Sequence, residues 1–203
     1  MKLNSHIPIV HNGVFIYDLD VEDNLIDFFS KEKFYSLKDV KDGDRNLPQL
    51  SVDKNILSKF TNLKKEIDDA FVHLLNEVIG IQENEVHIYN SWITKTYKNH
   101  ESSAHRHPNA WLSGVFYPEE NNCFQIRFFN DFLSSFNGKI NTHSLYNAHE
   151  LDIIPKKNQL FIFFSNLRHM IVENKTDKIR YSLAFNCLPK GEFGINESAY
   201  NFK

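Results

Sequence analysis

Two histidines placed two residues apart, His105 and His107, are the side chains of this 203-residue chain whose spacing most directly suggests chemistry. Residues two apart on a strand project from the same face, so both imidazoles can converge on one ion. Neutral imidazole binds iron, zinc, copper and nickel, so the spacing does not select the metal. The same pair also fits two surface imidazoles in a loop before Pro108, because ten histidines in one chain produce this spacing by chance.

A third imidazole, His169, follows a strongly apolar segment at residues 160–164. A purely structural histidine would have to tolerate burial among aromatic side chains there, and taken alone that explanation is the stronger one. Beside the pair at 105 and 107, a shared metal ion explains its position better. We therefore predict that His105, His107 and His169 bind one metal ion.

Arg180 and Ser182 lie one strand step apart on a common face, eleven residues beyond His169. A guanidinium pairs with a carboxylate through two hydrogen bonds, and a neighbouring hydroxyl adds another. Charge-assisted bonds of this kind contribute about 1.5–3 kcal/mol each. The alternative is an arginine exposed on an edge strand, with Tyr181 and Leu183 forming the buried face. With the histidines upstream, we predict that Arg180 and Ser182 bind an acidic co-substrate.

The elements that must position these side chains follow from the apolar periodicity. A short helix is expected within residues 21–29, and apolar side chains at steps of three and four predict a second helix between Ser51 and Gly80. Ser51 or Asp53 suits the cap at its start, and Gly80 suits the left-handed residue past its end. After Gly80 the period becomes two, which is typical of short strands. These strands are expected at residues 86–96, 112–117, 124–129, 151–154, 160–164 and 179–185.

The predicted fold class is mainly β with N-terminal helices (α+β). Turn signals between the short strands favour two sheets packed as a jelly roll, with the helices packed on one sheet. No internal repeat or flexible linker marks a second domain, and a chain of this length can bury one sizeable core. We predict a single domain over residues 1–203, with a helical N-terminal part at 1–80 and a β core at 85–195.

The composition excludes several classes of function. A net charge of −3 leaves no clustered basic surface for nucleic acid. No window approaches the roughly 20 apolar residues that a membrane span needs. The two cysteines, Cys123 and Cys187, are too few for a disulfide framework or a structural zinc, so we expect buried strand residues in a protein of the reducing cytoplasm.

Four stretches, in this order, resemble the motif series of the 2-oxoglutarate and Fe(II)-dependent oxygenases: HRHPN at 105–109, LSGVFY at 112–117, FFSNLRHMIV at 163–172 and RYSLAFN at 180–186. More narrowly, they are similar to a poorly characterised oxygenase branch of marine bacteria and their phages, with the signature H-x-H-P-N-x-x-x-S-G-V-x-Y. The resemblance extends from about residue 90 to residue 194 and covers the amino-terminal helices only loosely. A phage-encoded member would act in the host cytoplasm.

The resemblance implies a double-stranded β-helix that holds Fe(II) at its open end. His105 and His169 would be the first and last metal ligands, and Arg180 with Ser182 would bind the remote carboxylate of 2-oxoglutarate. His107 stands where most members place an aspartate or glutamate, so an all-imidazole site would lack a neutralising carboxylate. The implied activity is that of a dioxygenase, by default a hydroxylase, which couples oxidative decarboxylation of 2-oxoglutarate to oxidation of a substrate by O2.

The substrate is expected to be a small molecule or a peptidyl side chain, and the sequence does not identify it. The oligomeric state is not fixed either, and a homodimer is compatible with the chain. Candidate pocket residues are Trp92, Thr94, Trp111, Ser113 and Tyr117, although ordinary strand packing explains each of them equally well.

Two other functions stay open at this point. A cupin-type metalloprotein also combines a jelly roll with histidine ligands, but its usual pattern has a glutamate three or four residues after H-x-H, where Trp111 and its neighbours stand. A non-catalytic jelly-roll binding module with a degenerate metal site fits the missing carboxylate. Titration separates the three: an oxygenase binds iron and 2-oxoglutarate, a cupin binds metal alone, and a degenerate module binds neither.

Overall fold

A computed structural model describes residues 13–21, 24–36, 46–81, 84–120, 124–131, 139–142, 144 and 147–202. Over these ranges the chain is mainly β, with eleven strands in two antiparallel sheets and few helices, as predicted. No helix within them has both the length and the apolar character that crossing a membrane would require. The assignment of residues 1–203 to one domain stays a prediction.

The strands are β1 (Val14–Asp18), β2 (Phe34–Ser36), β3 (Gln49–Ser51), β4 (Glu85–Thr96), β5 (Leu112–Tyr117), β6 (Ile126–Phe129), β7 (Glu150–Ile153), β8 (Gln159–Phe164), β9 (His169–Ile171), β10 (Arg180–Phe193) and β11 (Tyr200–Phe202). The α-helices are α1 (Leu25–Lys31) and α2 (Thr61–His73). A 3-10 turn (Ile56–Lys59) precedes α2, a π-helical turn (Leu74–Ile79) extends it, and a second 3-10 turn (Asn196–Ser198) precedes β11. Gly80 follows the π-turn with a left-handed φ of 78°, as expected from the sequence.

The larger sheet has the strand order β1-β8-β5-β10-β4-β3-β2, with β11 paired to β10, and the smaller sheet has the order β7-β6-β9. Because side chains alternate along a strand, the central strands of the larger sheet contribute to two different interiors. In β5, Leu112 and Phe116 face the helices, whereas Val115 and Tyr117 face the smaller sheet. The larger sheet is therefore buried on both faces at its centre.

Two hydrophobic cores result from this alternation. The first lies between the helices and the larger sheet, and it includes Phe29 of α1, Phe71 of α2 and Phe185 of β10. The second lies between the two sheets and consists of Val115, Tyr117, Ile126, Phe128, Phe161, Phe163 and Leu167. The helices thus pack on one sheet, as the sequence predicted, and leave the other face of that sheet to the smaller sheet.

The prediction of a helical part at residues 1–80 is corrected, because the described residues of this part also hold β1, β2 and β3. β1 pairs with β8 along its whole length, from Val14 opposite Phe163 to Asp18 opposite Gln159. β3 pairs with β4, where Leu50 lies opposite Thr94. These strands have only three to five residues, too few for the alternation to be distinguished from chance.

The predicted cap at the start of the second helix is wrong. Ser51 ends β3, where its hydroxyl donates to the Asp53 carbonyl at 2.8 Å and accepts the N–H of Ile93 at 2.9 Å. The Asp53 carboxylate accepts the N–H of Asn55 at 2.8 Å, so it shapes the turn before the 3-10 segment. α2 itself begins at Thr61 without a side-chain cap.

The pairing of β10 with β4 contains a β-bulge. The register shifts between Asn186 and Cys187, and Tyr89 in β4 consequently has no opposite residue. Before the bulge Ile88 packs against the helix-side core, and after it Trp92 faces the space between the two sheets. Because of this extra residue, even-numbered residues of β4 face the helices before the bulge and the space between the sheets after it.

Cys187 is a free thiol within β10 and is fully buried in the helix-side core, as expected for a strand residue. Burial raises the pKa of this thiol, so it is a packing residue and not a nucleophile. The other cysteine, Cys123, lies outside the described residues.

Gly114 in β5 provides the first test of the packing. A Cβ at this position would overlap the ring of Phe185, which lies against the glycine backbone from the neighbouring strand. We expect Gly114→Ala to lower the free energy of unfolding by about 1–3 kcal/mol, measured by urea denaturation, because overpacking strains a filled core. In a Phe185→Leu background the same change should cost less, and an unchanged unfolding midpoint for Gly114→Ala would contradict this packing.

Candidate metal centre

The segment between β4 and β5 brings His105 next to β9. The backbones of His105 and His169 exchange two hydrogen bonds, at 2.9 and 3.0 Å, as an isolated antiparallel bridge. Further along, the N–H of Ser102 donates to the carbonyl of Ile171 at 3.1 Å. Residues 102–105 therefore run beside β9 at the edge of the smaller sheet, and backbone pairing places two imidazoles side by side.

The three predicted histidines come together in one space, and we call His105, His107 and His169 the histidine triad. One ring nitrogen from each of the three histidines lies within 4.8 Å of the other two, and the Nε2 atoms of His107 and His169 are 3.2 Å apart. Two nitrogens bound to one metal ion at about 2.1 Å and at right angles would be about 3.0 Å apart. The backbone N–H of His107 donates to the Ser165 carbonyl at 3.0 Å, which holds the backbone from which the third ring projects. The donor set fits a metal ion that imidazole binds.

Backbone carbonyls orient two of the three rings. Nδ1 of His105 lies 2.8 Å from the carbonyl of Ser103, and Nδ1 of His169 lies 2.9 Å from the carbonyl of Leu167. In each case the Nδ1–H donates to the carbonyl oxygen, so the lone pair remains on Nε2. This pattern is typical of metal-binding histidines, whose second ring nitrogen is held by a carbonyl or carboxylate.

Burial keeps the rings of His107 and His169 neutral. Burial, and then the nearby ring of His105, lowers the pKa of His107 to about 4. The same two causes lower the pKa of His169 to about 3. Both imidazoles therefore keep a free lone pair at neutral pH, which is the form that binds metal.

Arg180 and Ser182 lie on β10 opposite Thr96 and Thr94 of β4. Both are buried, with 2% and 3% of their surface exposed, and both line the cavity that the histidine triad also lines. β10 is a central strand between β5 and β4, which excludes the alternative of an exposed arginine on an edge strand. The residue types predicted from spacing thus share one cavity, of about 270 Å³.

The guanidinium of Arg180 is a buried charge that forms no direct ion pair among the described residues, although the carboxylate of Glu119, which pairs with Lys178, is close enough to raise its pKa. None of its three nitrogens has a hydrogen-bond partner among the described residues, and its central carbon Cζ lies 4.9 Å from the ring centres of both Tyr117 and Phe124. The hydroxyl of Tyr117 is buried and unpartnered in the same way. Burial lowers the pKa of Arg180, yet a guanidinium stays charged in proteins. A buried cation without a partner is costly, so this end of the cavity is suited to an anion.

Three of the five candidate pocket residues line the cavity: Trp92, Thr94 and Tyr117. The ring of Trp92 lies 6.0 Å from that of His107. Trp111 does not line it, because its ring packs edge-on against Phe193 at 5.3 Å.

Ser113 is also absent from the cavity wall. Its hydroxyl lies 2.8 Å from the Ser165 hydroxyl and donates to the side-chain oxygen of Asn186 at 2.8 Å. This buried network ties the turn after β8 to β5 and β10. It supports the same Ser165 whose carbonyl accepts the N–H of His107.

Sequence reasoning missed other wall residues, including Ile126, Ile171 and the pair Leu47 and Pro48. Ile171 could have been found, because it lies two residues after His169 and therefore on the same strand face. Leu47 and Pro48 come from a segment in which apolar residues show no helical or strand periodicity. Only the pairing of β3 with β4 brings them to the cavity.

Residues 90–186 match the model of a protein family described as "Putative 2OG-Fe(II) oxygenase". The matched range runs from β4 to β10 and contains the histidine triad, Arg180 and Ser182. The sequence matches no curated protein.

Several solved structures have a similar fold. An oxidoreductase of the 2OG-Fe(II) oxygenase family from Burkholderia pseudomallei is 11% identical, with 80% of this chain and 76% of that chain covered and a TM-score of 0.56. A prolyl hydroxylase from Trichoplax adhaerens, in complex with a hypoxia inducible factor peptide fragment, is 12% identical, with 87% and 84% covered and a TM-score of 0.59. The epimerase SnoN from nogalamycin biosynthesis, in complex with Fe3+, alpha ketoglutarate and nogalamycin RO, is 8% identical, with 87% and 79% covered and a TM-score of 0.58.

At these identities the structural similarity establishes the fold alone, and the family match carries the activity. It favours an oxygenase over the cupin and degenerate-module alternatives. Residues 90–186 are similar to the 2OG-Fe(II) oxygenases, and the chain is an enzyme that uses Fe(II), 2-oxoglutarate and dioxygen.

Proposed function

We propose that this oxygenase is a hydroxylase in which His105, His107 and His169 bind Fe(II) and Arg180 with Ser182 binds 2-oxoglutarate. One observation carries the proposal: a cavity lined by three converging imidazoles, of which His107 and His169 are held neutral, also contains a buried guanidinium without a hydrogen-bond partner among the described residues. A metal ion and a carboxylate-bearing co-substrate would satisfy both groups at once.

The histidine triad would hold Fe(II) through the Nε2 atoms of His105 and His169 and a ring nitrogen of His107. When bound, Fe(II) supplies the redox chemistry by which 2-oxoglutarate and O2 yield succinate, CO2 and an oxidised substrate. The carbonyls of Ser103 and Leu167 keep two of the rings oriented before metal arrives. Apolar walls from both sheets exclude water from the reacting groups.

Arg180 would pair with the remote carboxylate of 2-oxoglutarate, while the hydroxyls of Ser182 and Tyr117 would donate further hydrogen bonds to it. The described cavity lining contains no aspartate or glutamate, so the co-substrate would bring the negative charge that balances Fe(II). This accounts for an arginine that is buried among aromatic rings and otherwise unpaired.

We also propose a double-stranded β-helix of the jelly-roll type and, on the H-x-H-P-N-x-x-x-S-G-V-x-Y signature, membership of the branch known from marine bacteria and phages. The two facing sheets with the histidine triad between them support the first proposal. The residues at 105–117 support the second.

His107 provides the test of the three-histidine site. We expect His107→Ala to weaken Co(II) binding at least about tenfold, because one of three ligands is lost, as followed by the visible absorption of bound Co(II). His107→Asp should keep most of the affinity, since a carboxylate is also a metal ligand. His87→Ala, on an exposed position of β4, serves as the control. If His107→Ala binds Co(II) with wild-type affinity, His107 is not a metal ligand.

Arg180 provides the test of the co-substrate pocket. Loss of two charge-assisted hydrogen bonds should raise the Kd for 2-oxoglutarate at least about 100-fold in Arg180→Gln while the Kd for Co(II) changes little. The matched probe is 2-oxopentanoate, which has a methyl group in place of the remote carboxylate. Wild-type protein should discriminate strongly between the two acids, and Arg180→Gln should not. Equal discrimination in both proteins would count against the pairing.

Isotope labelling tests the hydroxylase assignment. For a substrate that stimulates succinate release, reaction under 18O2 should place one labelled atom in succinate and the other in the product. The balanced reaction is R–H + 2-oxoglutarate + O2 giving R–OH + succinate + CO2. Labelled succinate beside an unlabelled product would show an oxidation of another kind, such as desaturation, in which the second oxygen atom leaves as water.

A further inference from the structure

A carboxylate outside the cavity, Asp131, joins the two segments that carry the histidine triad. Nη2 of Arg168 donates to its Oδ1 at 2.7 Å, and Nε of Arg168 also lies within 3.0 Å of that oxygen. Nη2 of Arg106 donates to Oδ2 at 2.5 Å. Arg106 lies between the first two histidines of the triad, and Arg168 immediately precedes the third. One carboxylate thus bridges both arginines, and we call these three residues the Asp131 bridge.

Each arginine of the bridge is also held at a second point. Nε of Arg106 donates to the Asn166 carbonyl at 2.9 Å, in the turn between β8 and β9. The guanidinium of Arg168 lies 4.0 Å from the ring centre of Phe129, whose N–H donates to the Arg168 carbonyl at 2.9 Å. These contacts make the Asp131 bridge a network and not an isolated surface pair, which would contribute little.

The backbone holds the two histidines of the first segment to different degrees. His105 exchanges two hydrogen bonds with His169, whereas His107 is held by one, from its N–H to the Ser165 carbonyl, before the chain turns at Asn109 with a left-handed φ of 62°. A two-pronged pair between a guanidinium and a carboxylate fixes direction as well as distance. The Asp131 bridge spans the same two segments from the outer side.

We propose that Asp131 is a positioning residue of the metal centre, which acts through Arg106 and Arg168 to hold the two histidine-bearing segments at the separation that the metal needs. The proposal rests on the proposed function, because it assumes that the histidine triad binds metal. Asp131 itself is not a ligand in it.

The chain contains a matched control for the experiment. Asp152 on β7 accepts two hydrogen bonds from Arg127 on β6, at 2.6 and 2.7 Å, and is exposed to a similar degree. The side chains of that pair tie β6 to β7, and Arg127 lies opposite Met170 of β9 only through its backbone, which Asp152→Asn leaves intact. Asp131→Asn and Asp152→Asn therefore each remove a surface carboxylate that pairs with arginine, but only Asp131 joins the side chains of the two histidine-bearing segments.

Co(II) titration of the full chain, followed by visible absorption, gives the readout. We expect Asp131→Asn to weaken Co(II) binding about 10-fold or more, the size of effect seen when supporting residues of metal ligands are lost. Asp152→Asn should bind within about twofold of wild type, and thermal unfolding of the metal-free proteins should show similar small losses for both variants. Wild-type affinity in Asp131→Asn, or an equal loss in Asp152→Asn, would overturn the proposal.

Arg168→Gln separates positioning from a charge effect. Removing a positive charge near a bound cation should strengthen Co(II) binding if the field of the arginines is what matters. Loss of the bridge should weaken binding instead, and that is the result expected here. Tighter binding by Arg168→Gln would overturn the positioning role alone, whereas a wild-type chain that binds no Co(II) would overturn the triad assignment and the bridge with it.

Discussion

The alternation of side chains along β10 is the constraint on which both the packing and the chemistry of this chain depend. Tyr181, Leu183 and Phe185 face the helices and are buried with them. Arg180 and Ser182, on the opposite face, line the cavity. A shift of one residue in the pairing of this strand would exchange the two faces, so the apolar packing that stabilises the sheet also fixes where the guanidinium lies.

The histidine triad and Arg180, which line the same cavity, are linked by electrostatics. His107 and His169 of the triad are neutral, and Arg180 is a cation without a hydrogen-bond partner among the described residues. With Fe(II) bound, the cavity would carry three positive charges and no fixed negative one from its described lining. A dianionic co-substrate would offset most of this charge, so the binding of metal and of 2-oxoglutarate should each favour the other. An oxygenase with a carboxylate in place of His107 would depend less on that coupling.

The sequence predicted the parts of the site that follow from local period. Leu112–Tyr117 is a strand, as predicted, and the pair at 180 and 182 lies on one strand, β10. His105 and His107 converge as predicted but lie outside any strand, because only His105 forms an isolated bridge there. The parts it could not predict depend on pairing between distant strands. The burial of Arg180 was undecided until the order of the larger sheet placed β10 at its centre. The partners of Asp131 lie 25 and 37 residues away along the chain, and no local pattern connects them.

The bulge at Tyr89 has a consequence for changes in chain length. Residues 90–96 of β4 are held by β10 along the whole segment and by β3 over part of it, whereas residues 85–88 are held by β10 alone. Deleting Tyr89 would leave a regular ladder in which Ile88 directly precedes Asn90 and still lies opposite Cys187, so Trp92 would keep facing the triad and Ile88 the helices. A deletion within residues 90–96 would instead move the side chains on one side of it to the opposite face, so β4 can lose a residue at the bulge that its second half cannot lose.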